Sequence, residues 1–214
     1  MSESAVLASR RAYLTIFSRP SGLLSHLVRL VVREKNLANV NIEYLRPGDD
    51  NEDLVHLKVD TASELPVLID RQLVLTDVRT IVEYIDERFP HPPLMPIDPA
   101  ERAAARQAIE EIRGEFYKMA DIIENGSAAK VRAARKTLLS GLTGLATSMG
   151  RRKYFLGADL SLVDCAMAPV LWRLNTLGVK MPASAENLNE YAQRLFARPA
   201  FKASLTEIEE GFQD

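Results

Sequence analysis

The chain has 214 residues, 47% of them apolar and 26% charged, with 27 Lys and Arg against 29 Asp and Glu and a formal net charge of −2. That length allows one large domain or two small ones, and the near-balance of charge excludes a surface built throughout for neutralising phosphates, so no direct sequence-specific nucleic-acid binding is expected. One cysteine, Cys165, excludes internal disulfides, a CxxC redox pair and a multi-thiolate zinc site; it reads as a small buried hydrophobe in a reducing compartment.

Near the start, the short apolar run 5–8 precedes Arg10 and Arg11, the reverse of the order in a secretory signal. The longest weakly polar stretch, 138–150, is interrupted by Ser, Thr and Gly and is too short to span a bilayer. A cytoplasmic protein without membrane contact is expected.

Tyr13 to Phe17 is a β-branched and aromatic run that stops in the turn formers Ser18-Arg19-Pro20-Ser21-Gly22, so a strand feeds a loop. Leu23, Leu27, Leu30 and Val31 then recur at helical spacing and predict a helix of roughly four turns. Asn41 to Leu45 predicts a second strand ending at Pro47-Gly48, and Asn51 to Leu57 a short polar helix. Leu65 to Asp70 is a strand entered through Pro66, whose preceding bond can be cis. Arg71-Gln72 then turns it into Leu73-Val74-Leu75 as an antiparallel hairpin. Asp77 caps a helix whose apolar face is Val78, Ile81, Val82, Ile85 and Phe89. The order β-α-β-α-β-β-α predicts a small mixed sheet covered by helices, an α/β thioredoxin-like N-terminal domain over residues 11–89.

Five of the ten residues from Pro90 to Pro99 are proline, and residues 90–98 read as a linker. Beyond it no strand is expected. Residues 100–124 are rich in Ala, Glu and Arg, and 128–149 form a helix with Gly141 and Gly144 as small contact points. Ser161 caps the next helix, with Asp164 reaching back to the Ser161 amide, so both are assigned structural roles. That helix is apolar nearly all round and contains Pro169, from which a kink is expected. Helices over 189–196 and 199–209 complete an all-α C-terminal domain over 99–214.

This two-part arrangement resembles the glutathione transferase-like fold over nearly the whole chain from Tyr13. More narrowly, Phe17-Ser18, Ser25-His26, Val28-Arg29, the run from Asp86 through Pro90-His91-Pro92-Pro93-Leu94-Met95-Pro96, Ser161-Leu162-Val163-Asp164-Cys165 and Leu171-Trp172-Arg173-Leu174 are similar to the stringent starvation protein A family. The resemblance implies a transferase-fold, RNA polymerase-associated transcription regulator acting under starvation stress. It implies a homodimer that binds polymerase holoenzyme and its sigma factor by protein contact.

A glutathione transferase stabilises a thiolate with a hydroxyl or cysteine and with amides at the start of its first helix, where the dipole favours negative charge. The positions that the resemblance assigns to this group are here Leu23 and Leu24, which offer neither donor nor nucleophile. Where an acidic residue followed by serine would hold the glutathione carboxylate and amine, Asp77 is followed by Val78. What remains is a vestigial pocket of Ser18, Ser21, Leu65, Pro66 and Asp77. Ser18, Ser21 and Ser25 read as turn and capping residues. No catalytic residue is assigned and no cofactor is expected. The alternative is a glutathione-dependent transferase or isomerase using Ser18 or Ser21. His26, His56 and His91 lack metal-site spacing and read as surface or capping histidines, so no metal is expected.

Consecutive prolines fix φ and remove amide donors, so Pro90 to Pro99 is expected to stand as a stiff extended segment with unpaired carbonyls and little entropy to lose on binding. Pro90, His91, Pro92, Pro93, Leu94 and Met95 are the candidate partner-binding surface. The block Lys130, Arg132, Arg135, Lys136, Arg151, Arg152 and Lys153 is a solvated face that could also steer an acidic partner. The acidic tail, Glu207, Glu209, Glu210 and Asp214, reads as a solvated helix end.

Overall fold

The computed structural model describes residues 13–46, 48–61 and 65–213. The apolar run at 5–8, the domain start at residue 11, Pro47 and Asp214 lie outside the described residues.

β1 (Leu14–Ser18) is buried on both faces and forms the centre of a four-stranded sheet of order β2-β1-β3-β4. It pairs in parallel with β2 (Val40–Tyr44) through the crossover helix α1 (Leu23–Glu34), and antiparallel with β3 (Val67–Asp70). β3 and β4 (Leu73–Leu75) form the hairpin, with Arg71 at φ +57° in its turn. Because side chains alternate along a strand, Phe17 and Val67 share one face and cluster with Leu65 and with Leu54 from the short helix α2 (Glu52–His56). Ile16 and Leu68 point to the other face, and α1 packs against α3 (Val78–Arg88); Leu27, Val31, Ile81 and Ile85 on these two helices are all 1% exposed or less. The Leu65–Pro66 and His91–Pro92 bonds are cis. Two compact units divide the chain. The first runs to Pro92 and takes in Ala203–Glu209; the second comprises Pro93–Lys202 and the chain from Glu210 onward.

The second unit is helical. α4 (Pro99–Ile112) starts with Asp98 accepting the Ala100 and Glu101 amides, passes through a π-helical turn at Arg113–Tyr117, and continues as α5 (Lys118–Asn125). α6 (Ala128–Met149) runs beside it, burying Ala134, Leu138, Leu142 and Ala146 at every fourth position. α7 (Leu162–Trp172) is buried over most of its surface and runs unbroken through Pro169. α8 (Glu186–Phe196) follows. The expected single helix over 199–209 is instead two short ones, α9 (Pro199–Ser204) and α10 (Glu207–Glu210). The break has a local cause. The Thr206 amide donates to Glu209 Oε2 at 3.2 Å and the Glu209 amide to Thr206 Oγ1 at 3.3 Å, so Thr206 and Glu209 form a capping box that starts a new helix. Among the described residues no helix is long and apolar enough to cross a membrane.

Candidate functional site

Ser18 ends β1, and the register Phe17↔Val67 sets it opposite Pro66 at one end of the sheet. Its side chain is wholly buried. The hydroxyl accepts from Arg29 Nη1 at 2.7 Å and lies 3.3 Å from the Arg19 carbonyl, which Arg29 Nη1 also reaches at 2.8 Å. Arg29, from the middle of α1, is 1% exposed. It donates through Nε to the Ser204 carbonyl at 3.0 Å and pairs through Nη2 with Glu209. One turn earlier, His26 Nε2 is 3.1 Å from Ser204 Oγ and Nδ1 is 3.7 Å from Glu209 Oε1. Thr206 Oγ1 donates to the Pro20 carbonyl at 2.7 Å. A buried guanidinium must be paired and hydrogen-bonded, and its five donors in a rigid fork need acceptors from several directions.

Two expectations are corrected by this network. His26 is neither a surface nor a capping residue but is 0% exposed, and the acidic tail is not solvated at Glu209, which is also 0% exposed. The charge of Arg29, on the buried face of α1, draws in a carboxylate from 180 residues further along the chain.

The other residues expected to form a vestigial pocket serve the fold in different ways. Ser21 is exposed on the loop, and Gly22 precedes a first helical turn of Leu23 and Leu24 that has no acidic residue and no side-chain cap. Leu65 belongs to the core cluster around Phe17, and Pro66 is buried beside it. Asp77 is exposed, with Oδ1 accepting from the Thr80 amide at 2.9 Å and hydroxyl at 2.8 Å as the cap of α3.

In the proline segment, Pro90, His91, Pro92 and Pro93 are exposed. Leu94 and Met95, expected as surface contacts, are 3% and 7% exposed and anchor the segment instead, because apolar side chains flanked by helices are drawn from water. Nor are the carbonyls unpaired. In the first unit Lys35 Nζ donates to the Pro92 carbonyl, while its ammonium, with a fully buried side chain, pairs with Asp86 Oδ1 at 2.7 Å. In the second unit the Leu94 carbonyl accepts the Leu162 amide at 2.8 Å, and the Pro96 carbonyl accepts Arg102 Nε at 2.9 Å. Proline removes a donor but leaves an acceptor, and these acceptors are used to hold the segment in place.

Ser161 and Asp164 form the capping box of α7. Asp164 does more than cap. Its Oδ2 accepts from the Ser161 amide at 2.8 Å and hydroxyl at 2.7 Å, and its Oδ1 from the Phe155 amide at 2.7 Å and Tyr191 Oη at 2.8 Å. Burial raises its carboxyl above the ordinary aspartate value; the hydrogen bonds to the charged form act in the opposite direction and only partly compensate. The basic residues from Lys130 to Lys153 are exposed, although Arg135 donates to the Leu177 carbonyl and Arg152 to the carbonyls of Ser148, Met149 and Phe155.

Residues 17–93 match the glutathione S-transferase, N-terminal domain family, and residues 91–199 the glutathione S-transferase, C-terminal domain family. A stringent starvation protein A homolog from Coxiella burnetii is 41% identical over 201 residues, which cover 94% of this chain and 95% of the relative. The homolog from Pasteurella multocida is 38% identical over 92% of both chains. The chain belongs to the stringent starvation protein A family. Among solved structures, glutathione transferase Omega 3C from Trametes versicolor matches with a TM-score of 0.80 at 19% identity, over 98% of this chain and 95% of that one, a likeness of fold alone.

For this member of the stringent starvation protein A family, sequence reasoning missed Arg29, Glu209, Lys35, Asp86 and Tyr191 as partners of the candidate residues. One signal was readable: Thr206 and Glu209 have the spacing of a capping box. The other pairings join residues far apart in the chain and leave no local pattern.

Proposed function

We propose that this protein is an RNA polymerase-associated transcription regulator of the stringent starvation protein A type. It acts as a homodimer and binds polymerase holoenzyme or its sigma factor by protein contact, through the exposed Pro90–Pro93 surface, without glutathione transferase activity. The observation that carries the reading is the state of Ser18. A serine that activates a thiol must offer its hydroxyl to the substrate sulfur, and here that hydroxyl is buried under Arg29. The first turn of α1 offers Leu23 and Leu24, and Asp77 is followed by Val78 rather than a hydroxyl. His91, between rigid prolines whose neighbours are anchored inside the fold, supplies a polar aromatic contact at little entropic cost.

A paired experiment tests this. Polymerase holoenzyme is captured with the wild type and with the double variant His91→Ala, Pro92→Ala, and both proteins are assayed for retention on immobilised glutathione and for turnover of glutathione with a reactive aryl halide. Loss of polymerase by the double variant, with turnover at background for both, is expected. Unchanged polymerase capture together with firm glutathione retention and turnover would replace the regulator with a glutathione-dependent transferase or isomerase.

A further inference from the structure

Beside the buried end of the proline segment lies a cleft of about 270 Å³, walled on one side by Pro93–Ile97 and on the other by Leu156–Ser161, with Glu101 at its edge. We infer that this cleft receives a basic, aliphatic-flanked segment of the protein partner, an Arg or Lys side chain entering between two apolar neighbours. The inference rests on the regulator reading and names the chemistry of the partner segment.

Size is the first argument. Sites for small molecules usually measure about 300–1,000 Å³, so this cleft suits one or two side chains rather than a cofactor. Its polarity is the second. Pro93 and Pro96 bring no amide donor. Across the cleft, the Gly157 amide is spent on the Tyr154 carbonyl at 3.1 Å, and the Ser161 amide and hydroxyl are spent on Asp164 at 2.8 and 2.7 Å. The charged side chains lining the cleft are Glu101 and Asp159, both exposed, and neither forms an ion pair among the described residues. The nearest cation in sequence, Arg102, has its Nε committed to the Pro96 carbonyl. Ionised carboxylates only accept, so the cleft offers acceptors and negative charge to a ligand rich in donors.

Its rim is the third argument. Ile97 is 85% exposed and Leu156 39%, large apolar groups of the lining that face water. Long basic side chains pack their methylene stems along apolar surface while the charged head finds its partner. A guanidinium or ammonium reaching Glu101 and Asp159 would lay its stem on Ile97 and Leu156, and flanking Leu or Ile residues of the partner would cover the remaining apolar rim.

The test uses two probes, acetyl-Leu-Arg-Leu-amide and acetyl-Leu-Glu-Leu-amide, titrated into the full-length protein and followed by amide chemical shifts. The Arg probe is expected to shift residues 93–97 and 156–161, the Glu probe to leave them unmoved, and added salt to weaken the effect. The double variant Glu101→Gln, Asp159→Asn keeps the shape of the cleft and is expected to weaken the Arg probe and capture of polymerase holoenzyme roughly tenfold. Shifts that are absent, equal for the two probes, or unchanged in the variant overturn the inference. If His91→Ala, Pro92→Ala loses holoenzyme while the carboxamide variant captures it fully, the cleft assignment falls and the regulator stands. If the Arg probe titrates into the cleft but the wild type captures no holoenzyme, the regulator reading falls and the cleft keeps its chemistry.

Discussion

Arg29 brings its guanidinium donors into a site closed to solvent, where the Ser18 hydroxyl, the Arg19 and Ser204 carbonyls and the Glu209 carboxylate accept them. Breaking a buried pair from one side strands the other charge, at a cost of about 3–5 kcal/mol. Glu209→Ala is therefore expected to lower stability by about that amount in urea denaturation. The double change Arg29→Met, Glu209→Ala should cost clearly less than the sum of the single changes. Asp164 provides a second, pH-dependent test. Its native carboxyl is raised, so between the ordinary aspartate value of the unfolded chain and the native value the folded protein holds the extra proton. Rising pH across that window favours unfolding, and the contribution is lost as pH increases rather than as it falls. Asp164→Asn should flatten that acid-range slope. It should also cost about 2–3 kcal/mol near neutrality, because an amide cannot accept all four hydrogen bonds; stability curves measured against pH check both.

At the scale of elements, the second unit depends on how closely α6 approaches the π-helical turn. A Cβ on Gly141 would lie 2.7 Å from Phe116 Cε1, so glycine is required there by contact and not by backbone conformation. Overpacking of this kind costs about 1–3 kcal/mol, offset in part by the roughly 1 kcal/mol of helix propensity that alanine gains over glycine. Gly141→Ala is expected to be net destabilising in thermal melts. Adding Phe116→Leu to it should be less harmful than the single effects predict, since the smaller side chain relieves the contact. Element identity was legible because capping and periodicity are local. Asp77 and Ser161 each announce a helix at the residue before it starts. The π turn at Arg113–Tyr117 was not, because residues 100–124 carry one continuous helical composition and the extra residue in the turn leaves no compositional mark.

For the whole molecule, the decisive feature is that Ala203–Glu209 belongs to the first unit although it lies at the far end of the chain. Truncation after Lys202 removes the acceptors at Ser204 and Glu209 and the Thr206 bond to Pro20, so that Arg29 keeps the Ser18 hydroxyl and the Arg19 carbonyl but loses its carboxylate partner. Hydrogen exchange should show α1 losing protection, and the first transition in a melt should fall. Truncation after Glu210 keeps those bonds and removes instead the Gln213 contact with the Trp172 carbonyl and the stacking of Arg173 on Phe212, so it should leave α1 protected.

The sequence by itself determined the β-α-β-α-β-β-α order of the first part, the caps at Asp77 and Ser161, and the split into an α/β and a helical part. These are matters of composition or of spacing over three or four residues, within reach of local reasoning. Only the tertiary structure decided that Ser18 is closed off by Arg29, that Glu209 is a buried partner and not a solvated tail, and that Lys35 and two helical donors hold the proline segment while Leu94 and Met95 anchor it. A buried charge or free carbonyl takes whichever complementary group the folded chain brings within about 3 Å, and separation along the chain carries no record of that choice.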